Sequence, residues 1–141
     1  MSDNKYDDPR YNDHNYDDIL FSDILKRGRE IISDPDRFTW QANARDEHGH
    51  EVHYESPRAV CFCALGAVLR ANDEVREYQI DEGLLEYLDE AAGELWKDPF
   101  GGKSDDPGAN TVWVSDQGGH EVALKMYDLA IEKAVAYEES W

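Results

Sequence analysis

Five carboxylates recur at intervals of four residues in the second half of the 141-residue chain, and they are Glu82, Glu86, Glu90, Glu94 and Asp98. Residues four apart are neighbours on one face of a helix, so this spacing predicts a line of negative charge. No lysine or arginine interrupts the line before Lys97. The line predicts a surface that binds a basic protein. With Asp81 and Asp89 included, the segment from Asp81 to Asp98 holds seven acids, about one per 4 Å of helix at a rise of about 1.5 Å per residue. This is near the ~3.4 Å spacing of phosphates along one DNA strand, so a site built for phosphates would also accept the line.

The leading functional hypothesis is therefore a non-enzymatic acidic interaction protein. Its negative face would bind a basic surface, for instance on a nucleic-acid-binding protein, where it would act as a nucleic-acid mimic. Phage-type inhibitors of host defence are an analogous class. A solvated helix face in a generally acidic protein, such as one from a high-salt cell, explains the same pattern.

The overall charge is strongly negative and unevenly distributed. The chain has 32 acidic and 14 basic residues, for a net charge of −18. Direct binding to nucleic acid or to an anionic membrane requires positive patches, so this balance excludes both. Residues 1–70 carry a net charge of −5 and residues 71–141 a net charge of −13. A salt-adapted surface is acidic all round, so the asymmetry favours a basic partner.

A second set of residues has the types needed for covalent chemistry. Cys63, Asp116 and His120 could act as thiol nucleophile, orienting acceptor and base in a cysteine-dependent hydrolase. A helix beginning at Cys63 would lower the pKa of its thiol, but Pro57 predicts an earlier helix start. The apolar residues around Cys63 favour a buried structural thiol. The hydrolase is therefore the alternative hypothesis, and an enzyme is the less favoured class.

Three histidines lie close together in the sequence, and they are His48, His50 and His53, with Glu51 and Glu55 beside them. Histidines two apart on a strand point to the same side and can share a metal ion. Gly49 is expected to turn the chain between the first two, which separates their side chains. The sequence therefore predicts exposed histidines at a turn, and it predicts no metal site and no cofactor.

Targeting and cysteine use indicate the compartment. The sequence has no apolar run of about 18 residues, which predicts no membrane span, and its first residues lack the apolar segment of a signal peptide. Cys61 and Cys63, the two cysteines, are too close in the chain for normal disulfide geometry. The expectation is a protein of the reducing cytoplasm.

Residues 1–16 are predicted to be a flexible acidic tail rich in Tyr, Asn and Asp, because they offer little to bury. Residues 17–141 are predicted to form a single globular domain. Its class is mainly α, with about four helices and a small β-hairpin between the first and the second. Apolar periodicity and punctuation place the helices at residues 19–32, 57–71, 81–96 and 119–137.

The second helix is predicted to begin with Ser56 as its N-cap and Pro57 as its first residue. The hairpin is predicted around Gly49, and Phe38 and Trp40 are expected to anchor it to the core. Residues 98–108 are predicted to form a loop, and residues 111–114 a short extended segment.

Three sequence blocks together resemble a family of small proteins of unknown function from bacterial and phage genomes. The blocks are residues 40–46 (WQANARD) with Gly49, residues 63–67 (CALGA), and Asp116 and Gly118 leading into the last helix. The resemblance covers residues 20–135. The chain departs from the family pattern at two places. Phe62 stands before the cysteine where the family has an aromatic residue that is often Trp, and Val114-Ser115-Asp116 replaces a Trp-Asn-Asp turn. The resemblance implies the domain boundaries and no activity.

Overall fold

The computed structural model describes residues 19–76, 80–95 and 106–140. Within these residues, the elements are α1 (Phe21–Ile31), a 3₁₀ turn (Pro35–Arg37), β1 (Ala44–Arg45), β2 (Cys61–Phe62), α2 (Ala64–Arg76), α3 (Glu82–Leu95) and α4 (Ala109–Glu139). The prediction of a mainly α fold with a hairpin between the first two helices is confirmed. The predicted tail at residues 1–16, Asp98 and most of the predicted loop lie outside the described residues.

The hairpin contains the predicted turn, and β1 pairs with the predicted arm on one side. Asp46 N donates to His50 O over 2.9 Å, and Val52 N donates to Ala44 O over 3.1 Å. Gly49 N donates to Asp46 O over 3.0 Å, and Arg45 forms a single antiparallel bridge with Glu51. On its other side, β1 forms a two-residue ladder with β2, where Ala44 lies opposite Phe62. Residues 50–54 therefore form one arm of the turn rather than a full strand.

The predicted start of the second helix at Pro57 is wrong. Ser56 Oγ accepts from the amide of Arg58, so the Ser-Pro pair forms a local turn. Val60 N then donates to Arg45 O over 2.9 Å, and the next two residues form β2. α2 begins only at Ala64. Pairing with a distant strand therefore outweighs the local helix signal, and it leaves Val60 42% exposed.

α1 and α4 pack closely across one glycine. A Cβ added to Gly28 would lie 2.8 Å from the hydroxyl oxygen of Tyr127. Tyr127 is fully buried, and its hydroxyl donates to the carbonyl of Ala64 over 2.6 Å. The core also includes the predicted apolar stripe of α1, which is buried at Ile24, Leu25, Gly28 and Ile31. This contact joins α1, α2 and α4 at one point.

α3 has the predicted buried face, whereas α4 begins earlier than predicted. The buried residues of α3 are Leu84, Leu85, Leu88, Ala91 and Ala92. α4 starts at Ala109 instead of Gly119, so residues 111–114 are helical and not extended. Gly119, with φ 79° and ψ −168°, interrupts the helix at the predicted start. The signal at residue 119 therefore marks a kink inside α4.

A carboxylate from α3 explains the early start of α4. The residue before the helix is Gly108, which has no side chain to cap the first amides. Asp89 Oδ2 accepts from Gly108 N over 2.8 Å, and its Oδ1 accepts from the amide and the hydroxyl of Thr111 over 3.0 and 2.7 Å. A negative charge at a helix N-terminus is also favoured by the helix dipole.

Candidate binding sites

Three of the five predicted acidic residues form one exposed row on α3. Glu82, Glu86 and Glu90 are exposed, and the opposite side of the helix is buried against the core. In the part of the chain that the structure describes, no lysine, arginine or histidine forms an ion pair with any of the three. Glu90 is near enough to Lys133 to attract its ammonium group. We call these three residues the acidic face.

The other members of the predicted line have different surroundings. The carboxylate of Glu94 accepts a hydrogen bond from Lys133 of α4, and this contact raises the pKa of Lys133. Glu94 is therefore already neutralised within the molecule. Asp98 lies outside the described residues. The unpaired line is thus shorter than the sequence spacing predicts.

Cys63 lies between the end of β2 and the start of α2. The prediction of a helix start at Pro57 had placed it inside the helix. Its carbonyl accepts the first helical bond of α2, from Ala67 N over 2.9 Å, and its Sγ accepts from Gly66 N over 3.3 Å. The side chain is only 2% exposed. Burial raises the pKa of the Cys63 thiol, and this effect outweighs the opposing hydrogen bonds from the helix amides. The thiol is therefore protonated at neutral pH.

Asp116 and His120 are engaged elsewhere. His120 Nε2 lies 2.6 Å from the carbonyl oxygen of Ile32, so this nitrogen carries the proton and donates. Asp116 Oδ1 accepts from Gln41 N over 3.0 Å. All three candidate catalytic residues are described, and no hydrogen bond links one of them to another. The geometry therefore offers no specific support for the hydrolase.

The three histidines lie at the exposed turn of the hairpin. Asp46 Oδ1 accepts from the amides of His48 and His50, each over 2.9 Å, which shapes the turn. His53 Nδ1 accepts from Glu55 N over 3.1 Å. Among the described residues, no three His, Cys, Asp or Glu side chains come together as metal ligands.

A cleft of about 430 Å³ lies between the start of the hairpin segment and the first part of α4. We call it the tryptophan cleft, and its lining residues are Trp40, Gln41, Ala109, Val112, Trp113, Asp116 and Gln117. Trp40 is 57% exposed, so the expectation that it anchors the hairpin in the core is wrong. The indole Nε1 of Trp113 is buried and has no partner among the described residues. Trp113 therefore does not present its polar atom to the cleft.

The wall of the cleft has an unusual backbone conformation. Gln41 has φ 61°, in the left-handed region that non-glycine residues rarely adopt. Such a conformation costs on the order of 1 kcal/mol, and it persists where surrounding contacts hold it. One of these contacts is the hydrogen bond from Gln41 N to Asp116.

Arg45 holds the other side of this segment through its planar guanidinium. Nε donates to Thr39 Oγ1 over 3.0 Å, Nη1 donates to Gly49 O over 3.0 Å and Nη2 donates to Trp40 O over 3.2 Å. The backbone on either side of Trp40 is therefore tied to the turn of the hairpin. Lysine has no such fork and could not bridge three acceptors in this way.

The block at residues 63–67 packs against the backbone of the same segment at Asn43. A Cβ added to Gly66 would lie 1.9 Å from the carbonyl oxygen of Asn43, so only glycine fits there. That carbonyl also accepts from Cys63 N over 3.2 Å. Trp40, Gln41 and Asp116, from two of the three sequence blocks, line the tryptophan cleft. The block at residues 63–67 packs against Asn43 of the first block.

The cleft is not predicted by the sequence, because its residues have patterns that indicate other roles. Trp40 is predicted to lie in the core, Asp116 in a catalytic set and Trp113 in an extended segment. The one signal in the sequence is that Trp40 and Asp116 both lie in the blocks that carry the family resemblance. Nothing in their spacing indicated that the two blocks are adjacent.

Comparisons with known proteins leave the family open. The chain matches no family model, no curated protein and no solved structure. The resemblance to an uncharacterised bacterial and phage family therefore stays a prediction. None of the helices in the described ranges combines the length and apolar character needed to cross a bilayer.

Proposed function

We propose that this protein is a non-enzymatic interaction protein whose acidic face binds a basic surface of another protein. The observation that carries the proposal is the exposed row formed by Glu82, Glu86 and Glu90, which makes no ion pair with a basic side chain in the described ranges. Lys133, which is paired with Glu94, adds a weaker electrostatic attraction at Glu90. α3 contains no lysine or arginine of its own. Its opposite side is packed into the core, so the row is held on a rigid support.

Repulsion within the row supports the same proposal. Like charges four residues apart cost about 0.2–0.5 kcal/mol per pair, so the two adjacent pairs cost roughly 0.4–1 kcal/mol. A basic partner relieves this repulsion when it binds. The net charge of −18 also attracts a basic partner over a distance and accelerates encounter at low salt.

A nucleic-acid-binding protein is the more specific partner in this proposal, with the acidic face as a phosphate mimic. The three carboxylates follow one another at about 6 Å along the helix axis, from a rise of about 1.5 Å per residue. This is sparser than the ~3.4 Å per phosphate along one DNA strand. The general proposal therefore depends on a basic surface, and mimicry requires additional charge from neighbouring acidic residues.

The test starts with the immobilised chain and an extract of its source cell at low salt. A captured protein is then purified, and its affinity is measured by calorimetry at several salt concentrations. We expect the affinity to fall steeply as salt rises, because exposed charges are screened. The double change Glu86→Lys and Glu90→Lys is expected to weaken binding by at least about tenfold.

A matched double change separates the acidic face from net charge. Glu51→Lys with Glu139→Lys alters the net charge by the same amount at exposed positions outside the row. We expect this control to weaken binding by about twofold or less, since remote charges are screened. Equal losses in both variants, or no loss in the first, would refute the acidic face as the binding surface. Competition by duplex DNA for the same partner tests the mimicry.

A further inference from the structure

We propose that the tryptophan cleft binds the guanidinium group of an arginine side chain presented by a partner protein. The proposal is independent of the acidic face, because none of Glu82, Glu86 and Glu90 lines the cleft. It rests on three observations, which are the aromatic walls, the one carboxylate and the held conformation of the segment at Trp40.

The aromatic walls suit a flat cation. Trp40 and Trp113 both line the cleft, and the larger part of the Trp40 side chain is open to solvent. An indole face attracts a cation through its quadrupole, and the planar guanidinium also stacks on the ring. Ammonium groups lack this second contact, so arginine is preferred to lysine.

The carboxylate supplies the charge. Asp116 alone is charged among the described residues that line the cleft. One of its oxygens accepts from Gln41 N, and the other has no hydrogen-bond partner in the described part of the chain. An N–H of a guanidinium can donate to that free oxygen. A phosphate or another anion is disfavoured by the same carboxylate and by the net charge of −18.

The segment that carries Trp40 is held before any ligand arrives. Gln41 keeps its left-handed conformation through its bond to Asp116, and Arg45 ties the carbonyl of Trp40 to the hairpin turn. A site that is already ordered loses less freedom on binding. Tryptophan and arginine are both enriched among the residues that carry most of the binding energy at protein interfaces.

The test uses N-acetyl-arginine amide as a probe and N-acetyl-citrulline amide as its neutral isostere. Binding is followed by NMR through the indole N–H signals of Trp40 and Trp113, which single Trp→Phe variants assign. We expect saturable shifts of both signals with the arginine probe. We expect at least about tenfold weaker binding of citrulline, because charge-assisted hydrogen bonds are lost.

A short peptide with one arginine between glycines distinguishes a protein side chain from a free small molecule. We expect the peptide to bind at least as tightly as the amide. A cleft that accepts the free amide and excludes the peptide would overturn the proposal of a protein partner. Equal binding of arginine and citrulline, or no saturable shift, would overturn the cation site itself.

Two variants test the residues of the cleft. Asp116→Asn keeps an oxygen for Gln41 N and removes the charge, so we expect about tenfold weaker binding with the fold retained. Trp40→Ala is expected to weaken binding by about threefold, and Trp40→Phe to restore most of it.

The control Glu86→Gln makes the same change in net charge on the acidic face, and we expect it to change binding of the arginine probe by less than about twofold. If Glu86→Gln and Asp116→Asn weaken binding equally, general electrostatic attraction explains the result and the proposal fails. The arginine-probe experiment does not include the basic protein. Its outcome therefore does not depend on whether the acidic face proves to be a binding surface.

Discussion

Removal of the Asp89 carboxylate should destabilise the fold far more than removal of its exposed neighbour Glu90. Asp89 accepts three hydrogen bonds from Gly108 and Thr111 at the start of α4. It lies on the same helix as the acidic face, and the sequence does not distinguish its role from that of the other acids. The prediction therefore tests whether α3 caps α4.

The magnitude follows from the contacts. Loss of an N-cap costs about 1–2 kcal/mol, and loss of the negative charge near the helix N-terminus adds about 0.3–1 kcal/mol. Thr111 is fully buried, so its hydroxyl loses an acceptor where water does not replace it, at about 1 kcal/mol or more. We expect Asp89→Ala to lower the free energy of unfolding by about 3 kcal/mol. Asp89→Asn keeps one acceptor oxygen and should lose about half as much.

The assay is urea unfolding followed by circular dichroism, with hydrogen exchange to localise the effect. Asp89→Ala should lower the midpoint with little change in slope, and it should increase exchange of the amides at the start of α4. Glu90→Ala should leave the stability unchanged or raise it slightly, because it relieves like-charge repulsion. A loss below about 0.5 kcal/mol for Asp89→Ala, or equal losses for both variants, would refute the capping role.

Three further predictions concern glycines, thiols and alkaline pH. Gly66→Ala should cost about 3 kcal/mol or more, because its Cβ meets the backbone of residue 43, whereas Gly93→Ala, which meets nothing within 4 Å in helix α3, should gain roughly 0.5–1 kcal/mol. Urea midpoints compare the two, and similar effects would contradict the close approach. In the native protein, iodoacetamide should label the half-buried Cys61 faster than the buried Cys63, as read by mass spectrometry, and rapid labelling of Cys63 would contradict its burial. Burial raises the pKa of Tyr127 well above its usual value, so the folded state keeps a proton that the unfolded chain loses above about pH 10. Stability should therefore fall as pH rises beyond that point, and Tyr127→Phe should make the fall shallower than in the wild type.

The sequence alone determined those features that depend on residues close together in the chain. Apolar periodicity located the buried faces of α1 and α3, since a helix brings residues three and four apart to one side. The same spacing placed Glu82, Glu86 and Glu90 on one exposed row. Gly49 marked the turn of the hairpin because local backbone chemistry sets that turn.

Tertiary structure decided the features in which distant residues compete with local signals. The Ser-Pro pair indicated a helix start, but pairing of β2 with β1 moved the start to Ala64. Asp89 and Glu94 carry the same charge as their neighbours, and only the packing of α3 on α4 shows that each has a partner. The tryptophan cleft joins segments about 75 residues apart. Local sequence sets which backbone conformations have low free energy, whereas packing decides which side chains meet. A binding site depends on which side chains meet.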